Sequence, residues 1–186
     1  MLKAIFLFGL CCLEILGNSQ NINELLSDND KAILKENGVL FLSIDSTERK
    51  MFEGFTGRLK ITQVENTFLF IHLGQWKRNN YNNYFDALMS YDSTGFLIDY
   101  KDFNKNGAII FDSKYQYEKN SDLTFRIEEF KLFYDNGIIR QKGWRYAKIR
   151  LKEGKIDINA PKKFGNWEYY DKTGKLLKTK SYSNYK

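Results

Sequence analysis

Residues 165–182 read GNWEYYDKTGKLLKTKSY, and the fold turns on whether Asp171, Thr173 and Gly174 form a catalytic loop or a chain reversal. The loop of an aspartic protease needs Asp followed directly by Thr or Ser and then Gly. Here Lys172 intervenes, and Ser93 does the same in a second copy, YDSTGF at 91–96, so the spacing fails twice. Turn chemistry accounts for the same residues. Asp at the first position accepts backbone N–H groups, and Gly at the fourth takes the positive φ that a type I turn with a bulge requires. The flanking WEYY and LLKTKSY are aromatic and alternating, as strands are. Asp171 and Gly174 therefore mark a β-hairpin.

The same unit recurs along the chain. MSYDSTGFLIDY (89–100) places Asp92 and Gly95 in a turn, DFNKNGAIIFDSKY (102–115) places Gly107, and LFYDNGIIRQKGWRY (132–146) places Gly137. In the last of these, DNG at 135–137 reads as a two-residue Asn-Gly reversal. MFEGFTGRLKI (51–61) reads as a looser copy centred on Gly57. The spacing is irregular but tends toward that of repeat architectures.

The stretch FGNWEYYDKTGKLLKTKSY resembles the bacterial variant of the MORN repeat: Gly-x-Trp, an aromatic pair, a short turn ending in Gly, then Lys-Leu and a Tyr. Gly165, Trp167, Tyr169, Tyr170, Gly174, Leu176 and Tyr182 match it, residues 132–146 match more loosely, and Gly74 and Trp76 share the Gly-x-Trp opening. The resemblance implies antiparallel hairpins in an elongated, twisted single sheet, the aromatics of one hairpin packing on the next. It also implies interaction or scaffold roles, with some relatives similar to proteins described as antitoxins, and it carries over no catalytic residue.

Composition agrees with a β protein. The 186 residues include one proline, 42% hydrophobic and 16% aromatic residues, enough for one ordinary domain and favouring pleated strands. The first residues differ in kind. Lys3, the apolar run Ala4 to Leu13, and the small residues Gly17 and Ser19 read as a signal peptide cleaved before Gln20. Ten apolar residues are too few to span a bilayer, and Glu14 interrupts any extension. Both cysteines, Cys11 and Cys12, fall inside this leader, so the mature chain is expected to lack disulfides, thiolate chemistry and Cys-ligated metals. Residues 20–38 then carry Ile22, Leu25, Leu26, Ile33 and Leu34 at helical spacing, with Ser27 or Asp30 as cap and Gly38 as stop. Residues 39–186 form the β domain, its hairpins clearest over 84–186.

Candidate chemistry is sparse. His72, in FLFIHLGQW, is the single histidine, so a His-based metal site is excluded, and an apolar strand makes it structural. Glu128 and Glu129 are adjacent and point to opposite faces of a strand, so they cannot cooperate. Asp86, Asp99 and Asp102 offer other carboxylate pairings for a glycoside hydrolase. The tryptophans follow glycines and read first as packing between hairpins, second as flat binding faces. As a binding surface the sequence offers Trp76, Trp144, Tyr146, Trp167 and Tyr169. The net charge of +6 permits acidic partners without naming one.

The expectation is thus a secreted or periplasmic, non-enzymatic interaction protein of a bacterial envelope, without cofactor or metal. Its partner is a protein or anionic envelope component rather than nucleic acid, and no membrane span remains after cleavage. The alternative is an envelope hydrolase or glycan-binding module working through aromatic and acidic residues.

Overall fold

The computed structural model describes residues 26–45, 54–64, 67–79, 85–120, 123–152 and 155–185. The expected leader at 1–19 lies outside the described residues, as do residues 20–25 of the helical segment.

One helix, α1 (Asp28–Asn37), is set by its caps. Ser27 Oγ accepts from the Asp30 N–H at 3.2 Å, and the Asp30 carboxylate accepts from the Ser27 N–H at 3.0 Å. Two N-terminal donors are thereby satisfied at once. Gly38 ends the helix in the left-handed region, its N–H donating to Leu34 O at 2.8 Å. The helix packs on β1 (Val39–Ile44) and β2 (Phe55–Val64), with Leu34 buried.

The remaining elements are β3 (Thr67–Asn79), β4 (Phe85–Tyr91), β5 (Leu97–Phe103), β6 (Ile109–Asn120), β7 (Leu123–Phe133), β8 (Ile139–Lys152), β9 (Lys155–Ile158), β10 (Lys162–Tyr170) and β11 (Leu176–Tyr182). They hydrogen-bond as one open antiparallel sheet in the order β1-β2-β3-β4-β5-β6-β7-β8-β10-β11. Sequence neighbours are sheet neighbours almost throughout. The exception is the edge of β8, whose far end pairs β9 (Ile149 opposite Ile158) while its near end pairs β10 (Tyr146 opposite Lys162).

Four hairpins close with one and the same turn. The N–H of Asp92, Asn104, Tyr134 and Asp171 donates to the carbonyl four residues on, and Gly95, Gly107, Gly137 and Gly174 return a bond to the opening residue. All four glycines have φ between +77° and +88°. Asp171 Oδ1 accepts from the Thr173 N–H (2.8 Å), the Thr173 hydroxyl (2.6 Å) and the Lys175 N–H (3.0 Å). Asp92 repeats this with Thr94 and Phe96. These hydrogen bonds hold both carboxyls below their usual range against the opposing effect of desolvation, so both stay ionised as turn anchors.

Two expectations are corrected. DNG at 135–137 is not a two-residue reversal but the same three-residue loop as the others, between Tyr134 and Ile138. The register shift that accompanies it, between Leu132 and Phe133, recurs at Asp102/Phe103 and Tyr169/Tyr170, so the fold keeps one hairpin geometry. Gly57 is no turn residue either, since it lies within β2.

The chain forms two compact units. The first holds α1, β1–β3 and Ser90–Leu97; the second holds residues 85–89 and everything from Ile98 onward. In the first, alternate residues of β1 (Leu40, Leu42, Ile44) meet Leu59, Ile61, Phe70 and Trp76 in the core. Each such side chain withdrawn from water contributes about 2 kcal/mol. In the second, Met89, Tyr100, Ile127, Phe130, Ala147 and Trp167 are buried together with the polar Asp102, Ser113, Arg126 and Glu128. Along β7 the residues Arg126, Ile127 and Glu128 are buried in succession, which requires cover on both faces of the strand.

Candidate binding surfaces

Two tryptophans are built into the sheet by the same device. Gly165 (φ +62°) bulges β10, and Trp167 folds back over Gly143 of β8, its indole N–H donating to Trp144 O at 3.0 Å. A Cβ at Gly143 would stand 2.4 Å from Trp167 Cδ2, so only glycine admits the ring. In the first unit Gly74 (φ +62°), Trp76 and Gly57 repeat the arrangement, and the Trp76 N–H donates to Arg58 O at 3.0 Å. With exposures of 1% and 0%, Trp76 and Trp167 present no face to a ligand. As binding residues they are corrected: both are core, because each indole satisfies its N–H on the strand backbone and leaves water entirely.

The two faces of β7, β8 and β10 differ. On the face of Trp167, Glu128 is locked by Arg145, whose Nε donates to Oε2 at 2.8 Å and whose Nη2 bonds Oε1, while the Ser113 hydroxyl donates to Oε1 at 2.6 Å. The Arg145 guanidinium lies 4.1 Å from the Phe130 ring centroid, and Phe130 in turn packs on Trp167. Nearby, desolvation pushes the half-buried Tyr115 phenol well up, with Arg126 5.2 Å from its ring. Removing one partner of such a pair is costly, because it leaves the other charge buried and uncompensated. Glu128 therefore holds the sheet rather than offering a free carboxylate.

Beyond this core, Lys163 of β10, register partner of Arg145, places its ammonium 3.9 Å from the Trp167 ring, 5.3 Å from Tyr169 and 5.7 Å from Tyr182. It donates to Tyr169 Oη at 3.0 Å, and the Tyr169 and Tyr182 hydroxyls are 3.3 Å apart. Lys178 lies 5.0 Å from the Tyr169 ring and Lys180 5.0 Å from Tyr182. Burial lowers the Lys163 pKa; Tyr182 opposes this, and the charges of Arg145, Lys180 and Lys178 add to it. Tyr169 thus belongs to a basic cluster that the sequence reading did not assemble. Its signal was present in KTK at 178–180, where alternation puts both lysines on one face.

The opposite face carries Trp144 and Tyr146, with Arg145 pointing away from them. Trp144 is 38% exposed and packs against Phe164 at 6.4 Å between centroids. Tyr146 meets Phe164 at 6.0 Å, and Tyr185 from the C-terminal segment sits on both, 5.3 Å from Tyr146 and 4.7 Å from Phe164. The Tyr185 hydroxyl donates to Glu118 at 3.0 Å. Five rings, with Phe125 the fifth, form a continuous aromatic surface bordered by Lys148 and Lys162.

His72, Glu129, Asp99 and Asp102 each have structural partners. His72 lies edge-on to Trp76 (4.4 Å) and stacked on Tyr91 (5.1 Å), and burial lowers its pKa to about 4, so the ring is neutral at neutral pH. Glu129 pairs with Lys131 at 2.9 Å, Asp99 with Lys101 at 2.8 Å, and Asp102 accepts from the Tyr100 hydroxyl at 2.6 Å. Among the described residues no three His, Cys, Asp or Glu side chains are placed to hold a metal ion, and no helix is long and apolar enough to cross a membrane.

Compared with known proteins, the chain matches no family model and no curated protein.

Proposed function

We propose that this chain is an exported, non-enzymatic interaction protein of a bacterial envelope, using its MORN-like hairpins as a rigid display surface for a protein or envelope partner. The observation that supports this reading is the aromatic surface around Trp144 and Tyr146, where a large indole stays exposed while its two counterparts are fully buried. An exposed Trp on a rigid strand, flanked by Tyr, Phe and basic residues, is the composition of an interface centre.

The test is co-sedimentation of the purified chain with isolated bacterial envelopes, alongside Trp144→Ala and Tyr146→Ala variants whose melting has been checked. Loss of one aromatic anchor should weaken binding by about 2 kcal/mol, and His72→Gln should leave it unchanged. If both aromatic variants bind normally while His72→Gln or Asp102→Asn abolishes a turnover of envelope glycan, the hydrolase reading replaces this one.

A further inference from the structure

The basic cluster on the other face leads beyond that reading and does not depend on it. Lys163, Lys178 and Lys180 come from two paired strands, and the register that sets Lys180 opposite Trp167 and Lys178 opposite Tyr169 brings each of the three ammonium groups within 5.3 Å of the ring centroid of Tyr169 or Tyr182. Among the described residues none of the three is paired with a carboxylate. The acid nearest in register, Glu128, is consumed by Arg145 and Ser113, and Glu168 points to the opposite face, where it meets Lys142 at 3.1 Å. The ordinary reading of surface lysines is a solvated fringe. Three features separate this group from one: Lys163 is half-buried on the Trp167 ring, the ammonium of each of the three lies 3.9–5.0 Å from an aromatic ring centroid, and burial, with smaller contributions from the neighbouring cations, lowers the affinity of Lys163 for its own proton.

We infer that Lys163, Lys178 and Lys180, with the hydroxyls of Tyr169 and Tyr182, form a binding site for a phosphate group. The charge count favours phosphate over carboxylate. Three uncompensated ammonium groups are poorly matched by a single negative charge, whereas a phosphate monoester or pyrophosphate carries two or more. Lysines bind phosphate as point charges, and the nearby arginine fork, which would serve carboxylate or phosphate alike, is already taken by Glu128. Of the two phenols, 3.3 Å apart, one donates to the other, which leaves one O–H to donate to a further oxygen. Trp167, fully buried beneath, gives the site a floor that does not move.

The test uses the whole chain and two probes: inorganic pyrophosphate by calorimetry, and vesicles of phosphatidylcholine containing phosphatidic acid by flotation. Lys178→Gln and Lys180→Gln, both at exposed positions where folding is not at stake, should each weaken binding about fivefold, as one unit charge at contact distance does in water. Lys163→Gln should cost more, and the losses should shrink in high salt. Lys105→Gln, on the exposed tip of the β5–β6 hairpin, should change nothing, and Trp144→Ala likewise, which keeps this site distinct from the aromatic face. Variant-sensitive binding of pyrophosphate alone assigns a soluble phosphate, and of the vesicles as well a phosphate held at a surface. Binding of neither probe overturns the inference, as does an equal loss in Lys105→Gln, or a polyglutamate peptide that binds more tightly than pyrophosphate.

Discussion

Gly143→Ala is the sharpest test of how this sheet is held together. The added Cβ would lie 2.4 Å from Trp167 Cδ2 and 2.6 Å from Cγ and Cε2, whereas carbon atoms in contact rest about 3.5 Å apart, so the indole must lift by roughly 1 Å. The ring has nowhere to go. It is fully buried, packed on Phe130, and its N–H already stands 3.0 Å from Trp144 O, a bond that such a shift would break. Overpacking costs about 1–3 kcal/mol and a buried donor left without a partner about as much again, so the expected loss is about 3–4 kcal/mol. For a chain of this size that lowers the melting temperature by roughly 10 °C. Chemical denaturation should compare Gly143→Ala with Gly107→Ala, where a Cβ meets nothing within 4 Å and only the positive φ is penalised, by about 1 kcal/mol. The Gly143→Ala cost should fall sharply in a Trp167→Leu background, because the clash is with the ring. A loss below about 1 kcal/mol, or an equal loss in both backgrounds, would refute the close-packing argument.

His72 makes stability pH-dependent. Its folded pKa of about 4 lies below the unfolded 6.5, so the unfolded chain takes up the proton first; stability is flat above pH 6.5 and falls by at most about 3 kcal/mol as the pH drops toward 4. Urea titrations across that window should show the slope, and His72→Gln should flatten it; an unchanged slope in the variant would place the titrating group elsewhere. Gly174→Val should destabilise the chain by about 1 kcal/mol or more, since a β-branched residue resists φ +88°, while Lys172→Ala should be nearly silent; equal small effects would count against the turn. Export predicts a mature N-terminus at Gln20, read by N-terminal sequencing of the protein from its native host, and an intact Met1 in the cytosolic fraction would overturn it.

The hairpins were legible because their determinants are local. Asp171 and Gly174, and Asp92 and Gly95, sit within four residues of one another, so the hydrogen bonds that close each turn are written in adjacent positions. The Ser27–Asp30 caps and the Gly38 stop of α1 are local in the same way. The misreading at 135–137 shows the limit of that logic. Asn-Gly on its own favours a two-residue loop, but Tyr134 opens the turn here, with its hydroxyl donating to Tyr170 O at 2.8 Å and Asn136 Nδ2 donating to Lys172 O at 3.0 Å on the next hairpin. Those partners lie 36 residues away, and their contribution outweighs the dipeptide preference.

The sequence by itself determined the β class, the helix and its caps, the positions of the four reversals at Gly95, Gly107, Gly137 and Gly174, and the opposite facing of Glu128 and Glu129, all of which follow from local periodicity and short-range turn and cap chemistry. Only the tertiary structure decided which tryptophan is core and which is surface. All three follow a glycine, yet burial depends on whether a second glycine faces the ring from the neighbouring strand: Gly57 does so for Trp76 and Gly143 for Trp167, while Trp144 stands across from Glu129 and Phe164 and remains exposed. The gathering of Lys163, Lys178 and Lys180 is of the same kind. Their convergence is set by the bulge at Gly165 and the pairing of β10 with β11, and a register between strands is a property of the sheet that neither strand's sequence contains.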